Sequence, residues 1–388
     1  MRIALISNLL PPFGRGGAEA YVKQLGSALA ADGHEILILA GSPGEVQGAE
    51  IRQLPHLPRL EPSTAYLGKL LWHARDQWLP SVYLSTAREL KRFRPHVVHT
   101  HECQGLSAAV FSAIDRLELP HVYTAHDLNL LCARVSMTRQ GAFCGGSCAL
   151  CRVQRSIRGG IVRRHITRLV SVSEFIQRKH VDAGVIPPSR AVVIRLGADT
   201  SAAAPRALPG TGFRIGFIGA VSRHKGIGTL LASFASAPSD WRLVVAGAGD
   251  MHFEVEAAAR RDSRISYLGQ IGEAEKETFF GGIDALVIPS EWEEPAALVA
   301  AEAIARSVPT VVSDRGGLPD TPEALVFSSG SPVALREALG RLVEDPARYA
   351  DVSQRLYARR DEFSWTTHQR RVNDVYDAAA EEGRGRPD

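Results

Sequence analysis

The feature that most restricts the fold of this chain is a regular alternation of short apolar runs with longer amphipathic stretches. The stretches between the runs have helical periodicity, as in Ala18–Ala31, which follows a Gly-rich turn. Short apolar runs separated by helices are typical of a parallel sheet that is covered on both faces. The runs of the first half are Ile3–Ile6, Glu35–Ala40, Val97–His99, His121–Thr124 and Arg168–Val172. They predict a doubly wound α/β domain.

The same alternation begins again after Ser201–Gly212, an Ala/Pro/Gly-rich stretch with the composition of a linker. The runs of the second half are Phe213–Gly219, Trp241–Gly247, Ile265–Leu268, Ala285–Pro289 and Thr310–Ser313. We therefore predict one domain over residues 1–200 and another over 201–364. Residues 365–388 are predicted to form a helix that packs back on the first domain, followed by a disordered tail. Two such domains leave a cleft, and parallel sheets bind ligands beyond the carboxyl ends of their strands.

Charge and hydropathy exclude several classes of protein. The 388 residues include 45 Lys and Arg against 42 Asp and Glu, a formal net charge of +3 that gives no reason to expect nucleic acid as a partner. No apolar run approaches the roughly 18 residues of a membrane-spanning helix. The stretch Met1–Pro12 has one basic residue and is broken by polar residues and a Pro pair, which predicts a buried strand rather than a signal peptide. We expect a cytoplasmic protein.

Two carboxylates follow one of the later strands. Glu294 and Glu302 are eight residues apart, and Pro295 suits the first position of a helix, where its missing N–H costs nothing. On one helix the two residues would lie roughly 12 Å apart along the axis. Free N–H groups at the start of that helix would favour a phosphate. The spacing alone fits two solvated helix residues as well, but the preceding strand and Pro295 favour a ligand site.

The wider segment is more specific. Val308–Ser313 and the pair Gly316–Gly317 follow Glu302, and together these features resemble the retaining nucleotide-sugar glycosyltransferases of glycosyltransferase family 4. The resemblance implies the GT-B fold, with two Rossmann-like domains facing each other across a cleft. It also implies transfer of a sugar from a nucleoside diphosphate sugar to an acceptor, with retention at the anomeric carbon. The chain contains no Asp-x-Asp triplet, so no metal cofactor is expected for the transfer.

The resemblance assigns roles to particular residues. It implies that Glu294 binds donor-sugar hydroxyls and that Glu302 binds the nucleotide ribose. His126 resembles the family's histidine beside the donor sugar, and Arg223 with Lys225 resembles the basic loop that clamps the diphosphate. The other donor contacts that the resemblance implies are Gly16, Gly17, Ala296, Ala297 and Leu298.

Two positions depart from the family pattern. The family has Arg five residues before the clamp lysine, where this chain has Ala220. Arg223 is the candidate substitute, because guanidinium offers a two-pronged phosphate geometry. Ala297 stands where the family usually has Gly, which places a methyl group where backbone is expected to approach the sugar phosphate. Both departures bear on donor identity and turnover.

Four of the five cysteines are clustered. Cys132, Cys144, Cys148 and Cys151 are separated by eleven, three and two residues. Four thiols in a Gly-rich loop fit a structural zinc or iron–sulfur site better than disulfides in a reducing compartment. The spacing matches no single metal motif, so metal-free thiols are the alternative. The insertion follows His126, which predicts a place on the acceptor side and no catalytic role for the thiols.

An Arg-rich stretch follows the cysteines. From Arg152 to Arg168 there are six Arg and no acidic residue. Such a run is usually a solvated face, which is the favoured interpretation. The alternative is contact with a phosphorylated acceptor or with an anionic membrane surface, which would make the protein peripheral at the inner face of the membrane.

The sequence thus predicts a retaining glycosyltransferase acting on a cell-envelope glycan, a lipid-linked sugar or a secondary metabolite. A GT-B sugar-nucleotide epimerase or phosphorylase is the alternative among enzymes. A non-catalytic nucleotide-sugar-binding partner subunit and a metal or redox sensor are the alternatives of other classes. The motifs specify neither the base, the sugar, the acceptor nor the oligomeric state.

Overall fold

A computed structural model of the chain describes residues 1–14, 16–58, 60–61, 63–133, 135, 137–139, 142–144, 149–199, 204–208 and 211–384. The chain forms two compact units. The first consists of Met1–Met137, Cys144–Ile194 and the chain from Gln369 onwards, and the second of Thr138–Phe143 and Arg195–His368. The predicted linker Ser201–Gly212 therefore falls inside the second unit.

Hydrogen bonds of that stretch explain why it belongs to the second unit. Within its described part, Arg206 donates its backbone N–H to Ser353 Oγ at 2.7 Å. The Arg206 guanidinium donates to the carbonyl of Ile283 at 2.9 Å and to that of Arg306 at 3.1 Å. An Ala/Pro/Gly-rich composition therefore accompanies an anchored segment here.

The first unit is built on a seven-stranded parallel sheet. The strands up to residue 194 are β1 (Arg2–Ser7), β2 (Glu35–Ala40), β3 (Ala49–Gln53), β4 (Val97–Thr100), β5 (His121–Ala125), β6 (Thr138–Arg139), β7 (Ala142–Phe143), β8 (Arg168–Ser171) and β9 (Ala191–Val193). The sheet order is β3-β2-β1-β4-β5-β8-β9, and β6 and β7 form a separate antiparallel pair. Outward steps on both sides of β1 are the doubly wound pattern that the alternation predicts.

The helices of this region connect the strands. They are α1 (Gly17–Ala31), α2 (Tyr66–Gln77), α3 (Pro80–Phe93), α4 (Ala109–Arg116), α5 (Ala149–His165) and α6 (Glu174–Asp182). Their ends follow local chemistry. Ser173 caps α6, since its Oγ accepts from the backbone N–H of Ile176 at 3.2 Å, and Pro80 opens α3 at the position where proline is best tolerated.

The second unit repeats the plan with six parallel strands. These are β10 (Phe213–Ile218), β11 (Trp241–Ala246), β12 (Ile265–Gly269), β13 (Ala285–Ile288), β14 (Thr310–Ser313) and β15 (Leu325–Phe327). The sheet order is β12-β11-β10-β13-β14-β15. The later helices are α7 (Ile227–Ala235), α8 (His252–Arg261), α9 (Glu273–Gly281), α10 (Leu298–Ala305), α11 (Pro332–Val343), α12 (Pro346–Arg359) and α13 (Trp365–Arg384).

Burial on both faces of this sheet explains why its strands are continuously apolar. In β13, Ala285 and Val287 pack into the core with α7 and α11, while Leu286 and Ile288 pack on the opposite side with residues of α9 and α10. Successive side chains of a strand point to opposite faces, so both sets must be apolar. The prediction of two Rossmann-like α/β domains is confirmed.

The C-terminal helix is shared in sequence between the units. Its first residues, up to His368, belong to the second unit, and the part from Gln369 onwards belongs to the first. Tyr376 is buried and shares a hydrogen bond of 2.6 Å with His99 Nδ1 of β4. Among the described residues, no helix combines the length and the apolar character needed to cross a bilayer.

Candidate functional site

The loop after β13 holds a buried carboxylate. Glu294 is 5% exposed, and Lys225 Nζ donates to its two oxygens at 2.8 and 2.7 Å. Its Oε2 also accepts from Ser290 Oγ at 2.9 Å and from Trp292 Nε1 at 2.8 Å. These bonds, one partner being a cation, offset the cost of burying the charge. The structure therefore brings together two of the predicted site residues, Glu294 and Lys225.

Two glycines allow this arrangement. Gly226 has a φ of 77°, and a Cβ at this position would lie 1.8 Å from the carbonyl oxygen of Pro289. Gly316 has a φ of 59°, and a Cβ there would lie 2.2 Å from the carbonyl oxygen of Glu294. Glycine alone combines the left-handed conformation with such close backbone contacts. The segments on either side of Glu294 are thus fixed by glycines that the sequence shows beside each motif.

The predicted helix start at Pro295 is wrong. Helix α10 begins at Leu298, and Ala297 precedes it in an extended conformation. The loop is held out of the helix because Gly317 N–H donates to the Glu294 carbonyl at 2.7 Å. Glu294 therefore lies outside the helix that carries Glu302, and the predicted spacing of roughly 12 Å along one axis does not apply.

The three donor contacts that were predicted around the start of this helix lie in two different elements. Leu298 lies in the first turn of α10, whose N–H groups and dipole favour an anion. Ala296 and Ala297 lie in the loop before it.

Glu302 lies on α10 and is 8% exposed. Lys276 Nζ, on α9, donates to its Oε1 at 2.7 Å, while Oε2 is buried and makes no hydrogen bond within the described part of the chain. Burial would lower the pKa of Lys276, but the carboxylates of Glu302 and Glu273 outweigh it and the net shift is upward. An unused acceptor costs free energy when it is buried, so Oε2 is the atom to which a ligand hydroxyl would donate.

The basic loop forms a short 3₁₀ turn, Arg223–Lys225, between β10 and α7. Arg223 is exposed, whereas Lys225 is half-buried, with Nζ 5.5 Å from the centre of the Trp292 ring. The backbone N–H of Glu291 donates to the His224 carbonyl at 2.8 Å, which ties the turn to the loop after β13. The structure therefore keeps Arg223 next to the Lys225–Glu294 pair in sequence but outside its hydrogen bonds.

His126 belongs to a cluster of rings in the first unit. His126 Nε2 lies 3.2 Å from His101 Nδ1, and the ring of Tyr21 packs edge-on against it at 4.9 Å between centres. Burial lowers the pKa of His101 well below its ordinary value, so His101 is neutral. The cluster combines a neutral, fully buried imidazole with a half-buried one.

Asp127, next to His126, is a functional candidate that sequence reasoning missed. Burial raises the pKa of Asp127 to about 6, although the backbone N–H of Asn129 donates to its Oδ1 at 2.7 Å and opposes the shift. A carboxyl group that titrates near neutral pH is typical of functional sites. The sequence signal that could have identified Asp127 is its position after a predicted strand and beside His126. Tyr21, Lys276, Ser290 and Trp292 were missed as well.

The predicted glycine loop lies at the start of α1. Gly16 is the N-cap residue of this helix and Gly17 its first residue. The side chain of Glu19 folds back here, with Oε2 2.5 Å from where a Cβ of Gly16 would lie. An acidic side chain at a helix N-terminus is favoured by the helix dipole. The loop therefore begins the helix that carries Tyr21 into the ring cluster around His126.

Two of the clustered thiols lie close together. Cys132 and Cys151 are buried, with 3.7 Å between their sulfur atoms. Two thiolates bound to one tetrahedral zinc, at about 2.3 Å each, lie about 3.8 Å apart. Cys144 donates its backbone N–H to the Met137 carbonyl at 2.9 Å, and Cys148 lies outside the described residues. No group of three metal-ligating side chains occurs in the described ranges, so the metal site stays a prediction.

The Arg-rich stretch is not uniformly solvated. Arg158, on α5, is 1% exposed and forms an ion pair with Asp76 of α2 and a hydrogen bond with Asn129 Oδ1. Arg168 forms an ion pair with Glu382. The interpretation of this stretch as a solvated face is therefore wrong for Arg158, because a buried aspartate requires its charge.

Comparison with known proteins covers both units. A model of glycosyltransferase family 4 matches residues 15–202, and a model of the glycosyl transferases group 1 matches residues 200–359. Glycogen synthase of Mycobacterium tuberculosis is 26% identical over 424 residues, covering 100% of this chain and 97% of that protein. Phosphatidyl-myo-inositol mannosyltransferase of Mycobacterium leprae is 26% identical over 391 residues, covering 95% and 94%.

Among solved structures, HepE of Anabaena in complex with UDP resembles this chain with a TM-score of 0.75 at 16% identity, covering 97% of this chain and 100% of that one. The fold, the two matched models and the relatives agree with the resemblance that the motifs carry. This chain is a glycosyltransferase enzyme and belongs to the GT-B proteins of the family 4 type.

Proposed function

We propose that this enzyme transfers a sugar from a nucleoside diphosphate sugar to an acceptor with retention at the anomeric carbon. The observation that carries the proposal is the buried Glu294 carboxylate, held by Lys225, Ser290 and Trp292 at the carboxyl end of β13. A fixed carboxylate at that end of a parallel sheet is suited to accept hydrogen bonds from sugar hydroxyls. Structures of HepE with UDP and with UDP-glucose support UDP-glucose as the first donor to test.

Glu302 supplies the second contact with the donor in this proposal. Its Oε1 is engaged by Lys276, whereas its buried Oε2 is available to a ribose hydroxyl. The net upward shift in the pKa of Lys276 keeps this lysine charged and the Glu302 carboxylate compensated. Donor binding would therefore complete the hydrogen bonding of a carboxylate that already has Lys276 as its cationic partner.

Departure of the diphosphate is the step that needs cationic groups, because negative charge develops on the leaving group. Lys225 has three N–H donors, and Glu294 accepts hydrogen bonds from two of them in the structure, which leaves the third for a phosphate oxygen. Arg223, two residues earlier and exposed, offers a second charge. The free N–H groups at the start of α10 add the positive end of a helix dipole. Together they supply the diphosphate clamp without Arg at Ala220.

Donor binding can be tested by calorimetry with UDP and UDP-glucose. Glu302→Gln is expected to weaken binding about 10- to 100-fold, because a ribose hydroxyl loses a charged acceptor. Glu273→Gln is the matched control, since Glu273 also binds Lys276, at 2.9 Å, but has an 87% exposed side chain. Equal donor affinity for both variants and the wild type would contradict a donor site on α10.

Transfer is tested separately, with a panel of sugar and lipid-linked acceptors and NMR of the product to read the anomeric configuration. The mannosyltransferase relative is named for phosphatidyl-myo-inositol, which supports including lipid acceptors. An inverted product would refute the retaining mechanism. Loss of donor without any acceptor would favour an epimerase, and donor binding without turnover on the whole panel would favour a non-catalytic partner subunit.

A further inference from the structure

Helix α2 presents its apolar side chains to solvent. Tyr66, Leu67 and Leu71 are 75%, 72% and 66% exposed, and Leu70 is 41% exposed. Asp76 is the one residue of this helix that is fully buried. A surface helix normally does the reverse, burying an apolar stripe and exposing its charges. The polarity of α2 is therefore inverted with respect to the unit that carries it.

The exposed apolar residues lie on one face. Residues 66, 67, 70, 71 and 74 follow the spacing of neighbouring positions on a helix surface. Trp78, 46% exposed, follows the helix in an extended conformation and adds to the exposed apolar surface. We call this surface, Tyr66 to Trp78, the α2 stripe. It is contiguous along the helix, unlike single exposed apolar residues, which are common on any protein.

The opposite face of α2 is fixed by polar contacts. Asp76 forms an ion pair with buried Arg158 of α5 and accepts from the backbone N–H of Gly105 at 2.8 Å. Trp72 Nε1 donates to the carbonyl of Pro58 at 2.8 Å. Rotating the helix to bury the stripe would break these bonds and leave Arg158 without its partner, which is costly inside a protein. The stripe is therefore held outward.

Basic residues outnumber acidic ones on α2 and in the segment that follows it in sequence. Residues 63–94 include six Lys and Arg and two acidic residues. Both acidic residues are engaged, Asp76 with Arg158 and Glu89 with Arg88 at 3.0 Å. Arg75 on α2 and Lys91 and Arg92 on α3 are exposed. An apolar helix face with basic neighbours complements a surface that is apolar inside and anionic at its rim, which describes an anionic lipid bilayer.

We infer that the α2 stripe binds the surface of an anionic bilayer. The helix lies in the plane of the headgroups, with the stripe among the acyl chains and the basic residues of α2 near lipid phosphates. This membrane site differs from the Arg-rich stretch that the sequence suggested as an alternative. Arg158 and Arg168 of that stretch form ion pairs within the protein. The inference depends on neither the donor nor the acceptor of the transfer reaction.

The test is flotation of the full chain with vesicles of phosphatidylcholine alone or with about one third phosphatidylglycerol. We expect binding to the anionic vesicles, weakened but not abolished by high salt. The double variant Leu67→Gln with Leu71→Gln is expected to bind at least tenfold more weakly, because two apolar side chains leave the acyl region. The matched control is Phe253→Gln with Val333→Gln, which removes exposed apolar side chains from the second unit.

Thermal unfolding and UDP calorimetry check that each variant is folded. Failure of the wild type to float with anionic vesicles would overturn the inference, as would equal binding by the α2 and control variants. A dimer in sedimentation that Leu67→Gln with Leu71→Gln dissociates, without vesicle binding, would also overturn it, by assigning the stripe to a second copy of the chain.

Discussion

Lys225 donates to both carboxylate oxygens of Glu294, at 2.8 and 2.7 Å. The family resemblance assigns these residues to different parts of the donor, the diphosphate and the sugar, yet in the structure each is the other's partner. Because the two residues are hydrogen-bonded, a contact between Lys225 and the diphosphate would affect Glu294, which holds the sugar. Coupling between residues in direct contact can be measured by a double-mutant cycle.

Lys225→Met is expected to lower the free energy of unfolding by about 1–3 kcal/mol, because a buried carboxylate keeps Ser290 and Trp292 but loses its cation. Adding Glu294→Gln should restore part of this loss, since a neutral amide needs no cation. Urea unfolding of the single and double variants measures both effects. Additive losses in the double variant would contradict the coupling. Transfer activity is expected to be lost in all three.

Gly226→Ala is expected to destabilise the protein by at least about 3 kcal/mol, through the strained positive φ and the contact with the Pro289 carbonyl. Gly228→Ala is the matched control two residues away. A Cβ at Gly228 meets nothing within 4 Å, and Gly228 lies in α7, so alanine should leave stability unchanged or raise it by up to about 1 kcal/mol. Thermal unfolding compares the two, and equal effects would refute the close approach.

Buried histidines make the protein sensitive to acid. Burial lowers the pKa of His121 to about 3 and that of His180 to about 4. Below pH 6.5 the unfolded chain binds protons at these residues that the folded chain does not, so stability is full above pH 6.5 and falls as pH decreases. At pH 5 the loss is up to about 2 kcal/mol for each histidine. Urea unfolding at pH 7 and pH 5 should show a smaller loss of stability for His121→Gln than for the wild type, and equal losses would contradict the prediction.

The metal prediction is tested through the close thiols. We expect the purified protein to carry zinc that chelators remove with loss of stability, and Cys132→Ala and Cys151→Ala to lose it. Cys103→Ala is the control, because Cys103 is equally buried but lies outside the cluster. Elemental analysis and thermal unfolding decide between zinc and metal-free thiols. Protein without metal in the wild type would favour the thiols.

The central strands of both sheets were predictable, and the edges were less so. Each interior strand is buried on two faces and is therefore continuously apolar. In the two parallel sheets, the strands that the pattern missed are β3, β9 and β15, and each lies at a sheet edge. β3 carries charged residues at Glu50 and Arg52, which suit an edge exposed to water. Hydropathy does not distinguish such strands from loops.

The site was predictable where chemistry depends on local sequence and less so where it depends on tertiary contacts. The Glu294 and Lys225 motifs were visible in the sequence, but their pairing joins residues 69 positions apart. The helix start at Leu298 depends on Gly317 binding the Glu294 carbonyl, which no local pattern reveals. The inverted polarity of α2 requires the burial of Asp76 by Arg158, 82 residues later in the chain.

The hydrogen bond between His99 and Tyr376 joins residues 277 positions apart. At about 5–20 residues per second, a ribosome needs roughly 15–55 seconds to pass from one to the other. Buried residues around Tyr376, among them Val372 and Ala379, arrive equally late. The unit that is synthesised first is therefore completed last. A nascent chain that stalls on the ribosome before α13 would have an amino-terminal unit whose core is incomplete.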